Sequence, residues 1–382
     1  MSFSAWLRKL FFPAARGSEK PGSSYSTDPA AQTVRKDSFA SLCELTRLSS
    51  DSPGAADAAC DDTTDILLAI GNRFREQGDI AKAVRLRENL LSLSDSPQNS
   101  GKILFELGRD YRKAGFLDRA LSSFKDAKKH GFHERKISQE LALIYADSGD
   151  FAAAAAQFAV LEMPWAEACF LVRQAEESAD TGLDDKAYRL LKRALECFDS
   201  SPEAWLALAV MSLAGGNASK SVEHAASGLT GGSASTRLIL LEGLHAFLKG
   251  PARPGISAPI LAAFAKGIDK CVAKLELDAV MSYYTGLFMQ AAGSSDGAEQ
   301  CFTKSLIVDP DFWAARLGIL TIAAEREKLP SLLSQQIAFF TQQGAQSKRF
   351  YCRPCGMRRD SVFSFCPRCQ AWHSVAFRMR LT

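Results

Sequence analysis

The chain has 382 residues with 46 basic and 43 acidic side chains, and its net charge of +3 is too near balance for general nucleic-acid binding. With 47% apolar residues it can bury a core over most of its length, and that length allows two or three domains. No stretch approaches the ~20 apolar residues of a membrane-spanning helix. Six of the ten cysteines are scattered, several on apolar helical positions, as free thiols in a reducing compartment are. The chain reads as cytoplasmic.

Residues 1–16, MSFSAWLRKLFFPAAR, place Phe3, Trp6, Leu7, Leu10 and Phe11 on one side of a helix. Arg8, Lys9 and Arg16 are positive, and no acid comes before Glu19. Such an amphipathic segment suits peripheral contact with an anionic membrane surface. A helix docked on the protein itself and a targeting presequence use the same pattern, while Pro13 ends the apolar run early for a secretory signal. Residues 17–62 shift to Ser, Pro, Gly, Ala and Asp and predict a flexible tether.

From residue 63 to 345 the chain repeats with a period near 34. Gly71, Phe74, Gly78 and Ala83 recur as Gly108, Tyr111, Gly115 and Ala120, then as Ala142, Tyr145, Gly149 and Ala154. The first small residue lets helix A press on helix B of its own repeat. The aromatic wedges between them, the second Gly ends helix A with φ > 0, and the Ala fills the contact on helix B. Weaker copies hold Ala175, Gly182 and Ala187; Trp205, Leu208 and Gly216; and Gly286, Gly293, Ala298 and Phe302. PARPGISAP (251–259) interrupts a unit opened by Gly243, and a last helical pair over 312–343 closes an array of roughly eight units.

This pattern resembles the tetratricopeptide repeat, which implies an all-α solenoid whose work is holding proteins. On helix A of the first two units, Asn72, Arg75, Lys102, Arg109, Arg112 and Lys113 form a candidate partner-binding stripe suited to an acidic protein. An ordinary solvated face gives the same composition.

No catalytic constellation stands out, and the chain reads as a non-enzyme. His130 and His133 fall in an inter-repeat loop, His224 and His245 on helices, and no Gly-rich segment has the context of a phosphate loop. His373 follows Trp372 beside the strongest chemical signal, Cys352-x-x-Cys355 and Cys366-x-x-Cys369, ten residues apart. Two short turns can offer four sulfurs to one ion, and soft thiolates select Zn or Fe, with Zn favoured for a closed structural site. Residues 346–382 therefore predict a small β-hairpin zinc-ribbon or rubredoxin-like module. Its arginines (Arg349, Arg353, Arg358, Arg359, Arg368, Arg378 and Arg380) and aromatics also permit a nucleic-acid-binding ribbon as an alternative, although a module this small needs its large side chains for its own core.

Together, YCRPCGMRRDSVFSFCPRCQAWHS and the first repeats, ILLAIGNRFREQGDIAKAVRLRENLL and LFELGRDYRKAGFLDRA, resemble the lipopolysaccharide assembly protein B family. The resemblance spans about 62–382, strong at both ends and diffuse between 165 and 300. It implies an adaptor at the cytoplasmic face of the inner membrane that helps a membrane-bound AAA protease degrade a lipid A biosynthetic enzyme. It also implies a metal module docked on the repeats, with Cys352, Cys355, Cys366 and Cys369 as ligands. The family's transmembrane helix before the repeats has no counterpart here.

Overall fold

The computed structural model describes residues 56–380 apart from residue 95 and residues 251–255, 327–329 and 347–348. The amphipathic segment over 1–16 and nearly all of the expected tether lie outside the described residues. Sixteen helices follow one another among the described residues, most of them packed as sequential pairs, and a three-stranded sheet comes after them. The chain divides into two compact units, one running to Met163 and the other starting at Pro164.

The first unit holds α1 (Ala56–Glu76), α2 (Ile80–Leu93), α3 (Pro97–Ala114), α4 (Leu117–Lys129), α5 (Glu134–Ser148) and α6 (Phe151–Val160). The repeat positions do what their spacing predicts. Ala83, Ala120 and Ala154 are fully buried on the B helices. Gly115 takes φ +84° and caps α3 by donating its N–H to Arg112 and Tyr111 carbonyls, a conformation that costs any residue with a Cβ. At Gly108 a Cβ would come within 2.7 Å of the Phe124 ring, so only a bare Cα lets α3 and α4 close on that aromatic.

The second unit holds α7 (Pro164–Asp180), α8 (Asp184–Cys197), α9 (Pro202–Ala214), α10 (Ala218–Gly231), α11 (Ala234–Lys249) and α12 (Ala258–Val272). It continues with α13 (Ala279–Ala291), α14 (Ser295–Val308), α15 (Trp313–Arg326) and α16 (Ser331–Gln346). Its sheet has the order β2-β1-β3, from β1 (Phe350–Cys352), β2 (Arg358–Arg359) and β3 (Val375–Phe377), all antiparallel. With α1–α6 this makes seven packed helix pairs and a terminal β module; α11 and α12, separated by the PARPGISAP interruption, pack respectively on α9 and α13 and on α10 and α13 instead of on each other.

The two units use their A helices differently. In the second, α9 and α11 are buried almost all round, which marks helices covered on both sides. What covers them is the terminal module: a single apolar cluster runs from Leu206 through Phe288 and Phe312 into Phe350, Phe363, Val375 and Phe377. No helix among the described residues is long and apolar enough to cross a membrane.

Candidate metal centre and its seat on the repeats

Each cysteine pair sits on a tight turn of the same build. In the first, Gly356 donates its N–H to the Cys352 carbonyl at 2.8 Å with φ +69°. In the second, Gln370 donates to the Cys366 carbonyl at 2.8 Å with φ +60°. Strand pairing then brings the turns face to face: Cys352 lies opposite Val375 in the β1–β3 ladder, and an isolated bridge joins Phe365 to Trp372.

The four sulfurs all lie within 4.8 Å of one another. Cys352 and Cys369 are 3.5 Å apart, and Cys355 and Cys366 are 3.6 Å apart. Four thiolates bound at ~2.3 Å around a tetrahedral ion are separated by about 3.8 Å, so the donor set fits one such ion. Cys352 and Cys366 are fully buried, while Cys369 faces solvent. Burial opposes ionisation of Cys352. The Ser374 hydroxyl at 3.3 Å, the Cys355 backbone N–H and the neighbouring sulfurs outweigh it and bring the thiol down to about 7. A thiol so poised readily supplies the thiolate that a metal takes. Of the scattered cysteines, Cys169, Cys197, Cys271 and Cys301 are free, and Cys169 and Cys301 are buried.

The module is held to the second unit by one aromatic hub and two buried acids. Phe377 of β3 sits with its ring centroid 5.2 Å from Phe312, 5.6 Å from Phe350, 5.8 Å from Tyr283, and 6.4 Å from both Tyr284 and Trp313. Trp313 donates its indole N–H to the Arg378 carbonyl at 2.8 Å, tying α15 to the chain beyond β3. On α9 the fully enclosed Glu203 meets His373 Nε2 at 3.0 Å. The His373 ring also stacks on Phe198 at 5.7 Å. Burial pushes the Glu203 carboxyl up, but the facing imidazole overcomes this and holds it below the usual range. On α11, Glu242 accepts from the Tyr284 hydroxyl at 2.7 Å and lies 3.8 Å from Arg349, the residue that enters β1.

His373 therefore serves the seat on the repeats, where sequence spacing suggested a place beside the metal. Glu203, Glu242 and Tyr284 escaped the sequence reading, and Phe377, read there as an aromatic of the module's own core, packs on the repeats as well. A signal existed for Glu203, the one charged residue in PEAWLALAVMSLA: a carboxylate in such a helix needs a partner from elsewhere in the fold.

The candidate partner-binding stripe lies in the first unit, with its charges largely compensated. Arg75 binds Glu106 at 2.7 Å and Asp110 at 3.0 Å, and Asn72 accepts from both Arg75 and Arg87. Arg109 and Arg112 share Glu140 at 3.1 and 2.9 Å. Lys102 lies 3.4 Å from Asp65, and Lys113 is exposed. Beneath them Arg87 and Asp110 form a fully buried ion pair. Gly71 makes room for that pair, since a Cβ there would come within 2.9 Å of the Arg87 guanidinium carbon.

Residues 105–167 match the tetratricopeptide repeat family. Lipopolysaccharide assembly protein B of Escherichia coli K12 is 24% identical over 327 residues, covering 82% of this chain and 80% of its own length. The chain is thus similar to lipopolysaccharide assembly protein B over most of the length of both proteins. The protein of that name from Escherichia coli O157:H7 gives the same figures. Among solved structures, a tetratricopeptide repeat protein from Parabacteroides merdae is 19% identical with a TM-score of 0.34, covering 68% of this chain and 98% of that one.

Proposed function

We propose that the protein is a non-enzymatic adaptor that regulates lipopolysaccharide (lipid A) biosynthesis at the cytoplasmic face of the inner membrane. The repeats hold protein partners, among them a membrane-bound AAA protease and a lipid A biosynthetic enzyme. Cys352, Cys355, Cys366 and Cys369 ligate one structural metal ion, with zinc the natural choice for four thiolates in a closed site. The observation that carries this reading is the shared core from Leu206 to Phe377, which makes the four-cysteine module an integral part of the repeat array. Curated relatives named for lipopolysaccharide assembly match 82% of the chain, a span that includes most of that core.

When bound, the metal cross-links the two turns, and the protein's own residues do the rest. Phe377 fills the A-helix face, while Glu203 and Glu242 hold His373 and Arg349 at the two flanks of the module. Partners then meet a fixed surface made of repeats and module together.

The test is affinity capture of tagged full-length protein from its own membranes, beside a version lacking residues 1–16. Recovery of an inner-membrane protease or a lipid A biosynthetic enzyme supports the assignment, and loss of either on truncation makes the amphipathic segment the anchor. A catch of nucleic acid or of unrelated soluble proteins alone overturns it.

A further inference from the structure

Within the second unit, α11, α13, α15 and α16 surround a pocket of about 220 Å³, set apart from the four cysteines. One wall is apolar, formed by Leu287, Trp313 and Leu317. The indole N–H of Trp313 is committed to the Arg378 carbonyl, so its ring offers the pocket carbon surface. Two cations, Lys249 and Arg349, line the same space. The acid set against them is Glu242, 3.8 Å from Arg349 and already accepting from Tyr284.

One acid for two bases leaves a positive charge beside an apolar wall. Burial works against the Arg349 guanidinium, but Glu242, Tyr284 and Tyr283 outweigh it and hold it above its usual range, so the charge left over is that of Lys249. The Arg349 Nε is buried and has no hydrogen-bond partner among the described residues. Lys249 is exposed as a residue, and partial burial of its ammonium, then the neighbouring Arg349, pull it below the usual lysine range. Close by, burial pushes the Tyr283 phenol up to about 12, so its hydroxyl stays protonated at neutral pH and able to donate.

We propose that this pocket binds a small carboxylic acid, with its carboxylate on Lys249 and Arg349 and an apolar body against Leu287, Trp313 and Leu317. A surplus of one positive charge suits a monoanion better than a phosphate monoester, and the guanidinium fork matches a carboxylate. The size narrows the body. The pocket exceeds the roughly 150 Å³ that holds benzene and falls below the roughly 300 Å³ of drug-sized sites, which fits a body of about six to ten carbons. The site is independent of the adaptor reading: it would bind its acid whether or not the repeats hold a protease.

Isothermal titration of the full-length, metal-loaded chain with octanoate tests this, with acetate and octanol as probes of the head and the tail alone. Octanoate is expected to bind once per chain, at least about tenfold tighter than either half-probe. Lys249→Met should weaken octanoate by about tenfold or more, and Ala314→Leu, which fills the cavity, should abolish its binding. Unchanged metal content and helical circular dichroism confirm that each variant is folded, and Thr341→Met replaces Ala314→Leu if that variant is not. Absence of octanoate binding, equal binding of octanol, or binding untouched by the variants overturns the proposal.

Discussion

The two units build on the same helix pair but satisfy their A helices by opposite means. In the first, α1, α3 and α5 bring guanidinium groups and carboxylates to one another, Arg75 to Asp110 and Arg109 and Arg112 to Glu140, and Arg87 of α2 joins them from below at Asp110. In the second, α9, α11 and α13 are apolar and bury themselves under the terminal module, with Phe377 as the hub. One unit closes its charges internally. The other is completed by a module whose four cysteines lie where they could hold one metal ion. The same fold therefore carries a self-sufficient half and a half whose integrity is tied to four cysteines.

The largest break in that comparison comes from the metal. A module of this size has little core of its own, and structural zinc supplies apparent binding energy on the order of 10 kcal/mol to folding. Cys352→Ser should lose bound metal and unfold the module while most helical circular dichroism survives. Metal content measured by mass spectrometry checks the first part, and unchanged metal would refute the ligand assignment.

Next come the two hubs. Phe377→Ala removes a buried ring that touches five others and should cost about 3–5 kcal/mol in urea denaturation of the second unit. Arg87→Met leaves the enclosed Asp110 with Arg75 as its remaining counter-charge, and should cost a smaller ~1–3 kcal/mol confined to the first unit. A variant from one unit that melts the other would show that the two are energetically coupled.

A smaller effect sharpens the comparison through pH. The Glu203 carboxyl is held below its usual range in the fold, so its contribution is present above the ordinary glutamate value of about 4.3 and is lost as pH falls through the lower folded value. Glu203→Gln should cost about 1–3 kcal/mol at pH 7. The gap between variant and wild type should shrink in denaturation curves taken at progressively more acid pH. A gap that widens in acid would contradict the assignment.

The comparison also explains what the sequence could show. In the first unit the local rules stand in the text: Gly108 under Phe124, Gly115 at positive φ, Ala120 in the contact. A helix that faces solvent keeps its small, aromatic and polar positions in fixed phase, so the period is easy to read. The repeat signal fades between 165 and 300 because α9 and α11 are covered on a second side, and apolar residues fill positions that would otherwise carry the polar phase. Among the site residues, the four cysteines were legible because metal-binding turns are local in sequence. The seat was not, since Glu203 and His373 are 170 residues apart and nothing in either neighbourhood names the other. In the basic stripe, Glu106, Asp110 and Glu140 answer cations that a reading of helix faces leaves open.

The central claim is that the four-cysteine module completes the core of the second unit. Hydrogen exchange of the full-length chain before and after removal of its metal by a chelator tests it most directly. The account predicts that amides of α9, α11 and α13 lose protection together with β1 and β3, while those of α3–α5 keep theirs. Exchange confined to residues 349–380, with α9, α11 and α13 unchanged, would contradict it.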